Sequence, residues 1–215
     1  MREIARRAIV SFEHITFRPY SVQAIRIIQA EHLALAAVLH GMLQIVRGVR
    51  FGGQKPDFQV LDAMVTYIGA FPEKFHHPKE ERYLFSTLRK RNPDSAPLLD
   101  QLVAEHRTGS AKVAELDHAL RRYQQEGSKQ FGSFATAAAG YAAFHWDHVR
   151  AEEVEVLPVA ESFLTSDDWH DIDQAFLANV DPLSAEVGVQ CDALFRRIVS
   201  IVPPAVGVGR KSRET

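Results

Sequence analysis

Residues 75–85 read FHHPKEERYLF. Two adjacent histidines precede a proline and two adjacent glutamates follow it, in a segment otherwise patterned as helix. Residues four apart lie about 40° from each other around a helix, so His76 with Glu80 and His77 with Glu81 are equally good pairs. A second stretch breaks the tie. Residues 147–158, DHVRAEEVEVLP, lie on residues 75–86, FHHPKEERYLFS, without a gap. His76 then falls on His148, Glu80 and Glu81 on Glu152 and Glu153, and Leu84 and Phe85 on Val156 and Leu157. Sliding the register by one loses a glutamate match and displaces both apolar matches. The repeat selects His76 with Glu80 and His148 with Glu152, and leaves His77 and Glu81 as an outward or supporting pair.

The repeat reaches two further stretches, AEHLALAAVL from Ala30 and AEHRTGSAKV from Ala104, which make His32 and His106 equivalent. His32 precedes His76 by 44 residues and His106 precedes His148 by 42, so the chain reads as two similar helical hairpins. Apolar residues recur at spacings of three and four over about 21–50, 57–91, 97–125 and 128–163, separated by breakers such as FGGQKPD, RNPDSAP and EGSK. Short connections make successive helices antiparallel neighbours, which predicts an all-α, up-down-up-down four-helix bundle with approximate twofold symmetry.

Ile28, Leu35 and Leu39 share the face of His32, and Leu99, Leu102 and Val113 that of His106, so each imidazole points into the core. A lone buried histidine is more often a hydrogen-bonded core residue than a ligand. Four of them, with two carboxylates repeated across both hairpins, reverse that preference. Burying two ionised carboxylates costs several kcal/mol each without compensating charge, and no lysine or arginine is expected at their level. Metal cations supply the compensation. The predicted ligand set is His32, His76, Glu80, His106, His148 and Glu152. Nitrogen-plus-oxygen sets of this kind suit iron, with manganese or zinc as alternatives. Two imidazoles per ion plus shared carboxylates leave each ion below six-coordinate.

The motifs resemble the hemerythrin-like, HHE cation-binding domains over residues 21 to about 163. The resemblance implies two iron ions in a non-haem di-iron centre, bridged by the two glutamates and an oxo or hydroxo ligand, that meets a small diatomic ligand, O2 or NO. The pattern departs from the oxygen-carrying members, which carry two histidines four apart in the third helix and a histidine-to-aspartate spacing of five in the fourth. Here Ser110 stands four after His106, and Glu152 four after His148. The four-histidine, two-glutamate pattern looks more like bacterial members associated with iron–sulfur cluster repair, nitric oxide stress or iron sensing. The expected function is therefore a sensor, scavenger or redox protein for O2, NO or a related oxidant. The alternatives are a di-iron oxidase or peroxidase, or iron binding and storage.

Composition restricts the rest. A net charge of -2 gives no reason to expect nucleic acid, no signal peptide or uninterrupted membrane span is apparent, and the single Cys191 fits a reducing compartment. The expectation is a cytoplasmic protein with no membrane partner. The domain reading is a bundle over 1–164, a helical extension over 165–204 packed on it, and a disordered tail over 205–215. Ser166 and Asp167 are expected to cap the first extension helix, with Trp169, Ile172, Phe176 and Val180 on its buried face. A second helix is expected over about 184–202.

Several residues near the ligands carry plainer expectations. His145, one turn before His148, is more simply a hydrogen-bond partner than a fifth imidazole, and His40 a core or interhelical hydrogen-bonding residue. Glu31 and Glu105 could orient imidazoles or be solvated neighbours. Tyr83 and Tyr141 could face the pocket or simply pack. Gly109 leaves room for a ligand or for close helix approach. Pro78 is expected to bend its helix at the ligand level.

Overall fold

The computed structural model describes residues 22–177. The stretches 1–21 and 178–215, with Val180, the helix expected over 184–202 and the tail, lie outside the described residues. Among the described residues there are only helices and short connections. Helix α1 is Gln23–Gly52, α2 covers 58–91, α3 is Ala96–Glu126, α4 covers 131–163 and α5 is Ser166–Leu177.

Each boundary has a local cause. Gly53 takes a left-handed φ of 62° and returns its N–H to the Gly48 carbonyl, closing α1. Asp57 caps α2, its Oδ1 accepting from the Val60 N–H at 3.2 Å. Asn92 and a single 3₁₀ turn, Pro93–Ser95, lead into α3, and a second 3₁₀ turn, Gly127–Gln130, into α4. With connections this short, α1 packs on α2, α2 on α3 and α3 on α4, and α4 returns to α1, closing the bundle.

Neither α2 nor α4 is a uniform α-helix. Residues Pro72–His76 and Glu80–Phe85 in α2, and Glu152–Val156 in α4, widen to π-helical hydrogen bonding. His77 donates to the Pro72 carbonyl and Leu157 to the Glu152 carbonyl, each five residues back. Prolines, which supply no N–H, stand beside these segments at 72, 78 and 158. Pro78 itself lies in the short α-helical turn His77–Lys79 between two π-helical segments, and two of the widened turns begin at Glu80 and Glu152.

The core is divided in two. One apolar cluster, including Leu39, Met42, Leu61, Met64, Leu120 and Phe134, fills one end of the bundle. The other, including Ile28, Leu84, Leu88, Leu99, Leu102 and Leu157, fills the opposite end. Each fully buried aliphatic side chain contributes about 1.5–3 kcal/mol, so apolar burial on both sides frames the layer between them. That layer contains the histidines and glutamates singled out above.

Helix α5 braces the second cluster, burying Trp169, Ile172 and Phe176 against α1 and residues 80–85. Its N-cap is Thr165 rather than Ser166 or Asp167. The Thr165 hydroxyl accepts from the Asp168 N–H at 3.2 Å, while Asp168 Oδ2 accepts from the Thr165 N–H at 2.8 Å, a reciprocal capping box. Arg91 at the end of α2 grips the same carboxylate with two nitrogens, at 2.8 and 3.0 Å. Asp173 caps α1 across the bundle by accepting from the Ala24 N–H at 2.7 Å. The start of α1 has no side-chain cap of its own.

Helix α1 is long and apolar enough to cross a membrane by length and composition alone, a test that the core helix of a bundle also meets. Its buried face carries His32 together with Ile28, Leu35, Leu39 and Met42.

Candidate metal centre

All four bundle helices send side chains into the layer between the two apolar clusters. The structure brings His32, His76, Glu80, His106, His148 and Glu152 together there, none more than 4 % exposed. His76 Nε2 stands 3.3 Å from Glu80 Oε1, and His148 Nε2 stands 3.2 Å from Glu152 Oε1, so the two i,i+4 pairs match. His32 Nε2 lies 3.2 Å from Glu152 Oε2 and 3.9 Å from Glu80 Oε1. His106 Nε2 lies 3.6 Å from Glu152 Oε1 and 3.7 Å from Glu80 Oε2. Both carboxylates therefore face imidazoles from both hairpins, as bridging groups do.

The imidazoles fall into two like pairs. His32 and His76 have ring centroids 4.8 Å apart and planes at 71°, and His106 and His148 repeat this at 4.9 Å and 68°. An imidazole holds a metal in its own ring plane, so two rings sharing an ion must have planes that intersect. Both pairs meet that condition. The Nε2 atoms of His32 and His76 are 2.9 Å apart. Two nitrogens bound at right angles to one ion at about 2.1 Å stand about 3 Å apart.

Each imidazole is oriented by a carboxylate from a neighbouring helix. Glu31 of α1 holds His76 Nδ1 at 2.8 Å, and Glu81 of α2 holds His106 Nδ1 at 2.7 Å. Glu105 of α3 holds His148 Nδ1 at 2.9 Å, and Glu153 of α4 holds His32 Nδ1 at 3.0 Å. The sequence signal for Glu81 and Glu153 lay in the doubled glutamates: the first faces the centre and the second orients a histidine of an adjacent helix. Glu81 thus orients His106 across the helix interface, a supporting role rather than an outward one.

These links determine which atoms need a metal. With every Nδ1–H donated to a carboxylate, the four Nε2 atoms point inward at two carboxylates, and on losing their protons they make the layer rich in acceptors and poor in donors. His106 Nε2, His148 Nε2, Glu80 Oε2 and both Glu152 oxygens are buried without a hydrogen-bond partner. Unpaired buried acceptors cost about 1–3 kcal/mol each, and cations in their midst remove that cost. The donor set fits metal ions. Burial, and then the charge of Glu152, push Glu80 well above the usual carboxylate range. Burial acts likewise on Glu152, but His106, His148 and His32 outweigh it and hold that carboxyl well below its usual value. Burial lowers His148, yet Glu152 and Glu105 together raise it to about 8.

Five neighbours differ from their sequence expectations or resolve them. His77 turns inward: its nitrogen lies within 4.8 Å of ligand atoms of His106 and His148. Its ring, however, is parallel to that of His106, at 7° and 3.8 Å. Parallel planes do not meet at one ion, so His77 and His106 do not share one, whereas the rings of His77 and His148 stand at 73° with centroids 5.9 Å apart. His145 is buried, stacks on Tyr141 at 4°, and is lowered to about 3, first by burial and then by His32 and His148. His40 is exposed and hydrogen-bonds Gln44 of its own helix at 3.2 Å, so it is no core residue. Tyr83 packs with the second cluster. Gly109 serves close approach: a Cβ there would meet Phe144 Cε1 at 3.3 Å, and the Phe144 ring stacks on His148 at 15°.

The expectation that no cation stands at this level is overturned. Lys79 is 4 % exposed and places its Nζ 2.8 Å from Glu31 Oε1. It was missed because its repeat counterpart is Ala151, so the repeat carries no sign of it.

A four-helix bundle that spends its central layer on inward imidazoles and carboxylates, each imidazole backed by a second carboxylate, is the scaffold of a cation-binding protein. The family model described as the hemerythrin HHE cation binding domain matches residues 23–160, and the chain belongs to that family. No curated protein matches the chain.

Proposed function

We propose that the protein holds two iron ions in the central layer and takes O2, NO or a related small oxidant there, as a sensor, scavenger or redox protein. His32 and His76 would hold one ion, His106 and His148 the other, with Glu80 and Glu152 between them. Bound iron would supply a redox-active centre with room for a small exogenous ligand. The observation that carries the reading is the doubled geometry of the two imidazole pairs around two shared carboxylates.

The protein's own groups do the rest. Glu31, Glu81, Glu105 and Glu153 lock the tautomers and aim the Nε2 lone pairs, raising the basicity of the imidazoles. Iron is preferred over zinc because two imidazoles and shared carboxylates leave each ion below six-coordinate, an arrangement suited to small-ligand redox chemistry. The apolar clusters on either side keep bulk water from the centre. The lone Cys191 and the absence of strong net charge accord with a cytoplasmic protein that engages neither nucleic acid nor membrane.

Metal analysis with an optical spectrum of protein purified without added metal tests the reading. About two irons per chain with near-ultraviolet absorption of a bridged di-ferric centre are expected. Stoichiometric zinc, with no chromophore after iron loading, would remove the redox function. Stopped-flow mixing of the reduced protein with O2 or NO then separates reversible binding from turnover.

A further inference from the structure

The two halves of the centre repeat the pairing of their imidazoles but differ in charge. Glu31 and Glu105 are repeat equivalents, and each spends one oxygen on an imidazole Nδ1, that of His76 at 2.8 Å and that of His148 at 2.9 Å. The other oxygen of each also has a donor. On Glu31 Oε1 it is the ammonium of Lys79 at 2.8 Å, and on Glu105 Oε1 the amide of Gln101 at 2.7 Å. Both carboxylates therefore have two donors at like distances. One of the four donors carries a permanent charge.

We propose that Lys79 makes the two metal positions unequal, weakening the position at His32 and His76 relative to that at His106 and His148. This rests on the dinuclear reading above. A carboxylate behind an imidazole strengthens it as a ligand by lending it negative charge. An ammonium on the far oxygen draws that charge away, whereas a neutral amide draws far less. Coulomb repulsion acts in the same sense, because the ammonium is buried where screening is weak. Lys79 cannot swing away easily. Its Nζ lies 4.9 Å from the centroid of the Phe176 ring, a cation–π contact that ties the lysine to α5. The bracing helix therefore holds the charge in place, and a chain of contacts runs from Phe176 through Lys79 and Glu31 to His76.

Anaerobic calorimetric titration with Co2+ tests this on the full chain. Two ions sharing bridging carboxylates repel each other, so the informative quantity is the ratio of the two stepwise affinities and its change on substitution. Lys79→Gln gives Glu31 the same kind of donor that Glu105 has, and the ratio is expected to narrow by about tenfold, the lower end of the effect of an outer partner on metal affinity. Gln101→Lys, at an exposed position, charges the other half instead. It is expected to narrow the ratio in the same direction, by a smaller factor because solvent screens it. The double exchange is expected to restore a separation. A purely packing role for Lys79 would leave the ratio unchanged in Lys79→Gln, and Gln101→Lys would then widen it by weakening one of two otherwise like positions. An unchanged or widened ratio in Lys79→Gln, or in Gln101→Lys should the first variant not fold, overturns the proposal while leaving the dinuclear reading intact. Uptake of fewer than two Co2+ by the unaltered protein overturns both.

Discussion

Glu81 Oε1 lies 2.7 Å from Nδ1 of His106, although the adjacent Glu80 turns its carboxylate into the centre toward Nε2 of the same ring. Neighbouring glutamates of α2 therefore act on opposite edges of one imidazole of α3. Substituting them should separate ligation from orientation. Glu80→Ala removes a shared carboxylate and should abolish binding of at least one ion. Glu81→Ala should leave two ions bound but weaken the tighter step, at His106 and His148, by about 10–100-fold, as loss of an orienting partner does. Competition with a chromophoric chelator measures both. Indistinguishable affinities for Glu81→Ala and the unaltered protein would mean that the contact does not tune His106.

Metal uptake should release protons. Burial and the neighbouring Glu152 hold Glu80 protonated well above the usual carboxylate range, and Glu152 with Glu105 raises His148 to about 8 against the opposing effect of burial. Both groups must lose their protons to ligate. Apparent affinity should therefore rise with pH, by about tenfold per unit for each proton released, and the His148 share should flatten above pH about 8. Titration in weak buffer with a pH indicator counts the protons directly, and a count of zero at pH 7 would contradict this protonation state.

Chelation should lower the melting temperature, because it leaves unpaired acceptors buried between the two apolar clusters. His148 contributes with opposite sign in the chelated protein. Its folded value lies above the ordinary 6.5, so its stabilisation is complete below that pH and is lost as pH rises through about 8. The loss on chelation should accordingly be larger at pH 9 than at pH 6, as read by differential scanning calorimetry with and without a chelator.

The long-range cap of α1 offers a test away from the metal. Asp173→Ala leaves the Ala24 N–H without its partner at a helix start that has no local cap. The expected cost is about 1 kcal/mol, a fall in melting temperature of roughly 2–4 °C for a domain of this size. Metal stoichiometry should stay at the unaltered value, since Asp173 reaches only the first turn of α1.

The bundle and its ligand level were legible because ligation demands the same local geometry in both hairpins, and that requirement printed His76–Glu80 and His148–Glu152 in one register. Three features left weaker marks. The π-helical turns shift one hydrogen bond each, and only the nearby prolines hint at them. The links from Glu81 to His106 and from Glu153 to His32 cross between helices, so no spacing along one helix encodes them. Lys79 was hidden for the opposite reason: symmetry drew attention to positions that repeat, and Lys79 is set against Ala151. Thr165 displaced Ser166 as the cap because Asp168, three residues on, completes a reciprocal pair with Thr165 alone.

The four glutamate–imidazole links run from α1 to α2, α2 to α3, α3 to α4 and α4 back to α1, a closed hoop at the waist of the bundle. A hoop resists being spread. Parting any two neighbouring helices at that height breaks a charge-assisted contact and unseats an imidazole at the same time. The spacing of all four helices and the aim of the four Nε2 atoms are thereby tied together, so a change in one interhelical gap is felt at every imidazole.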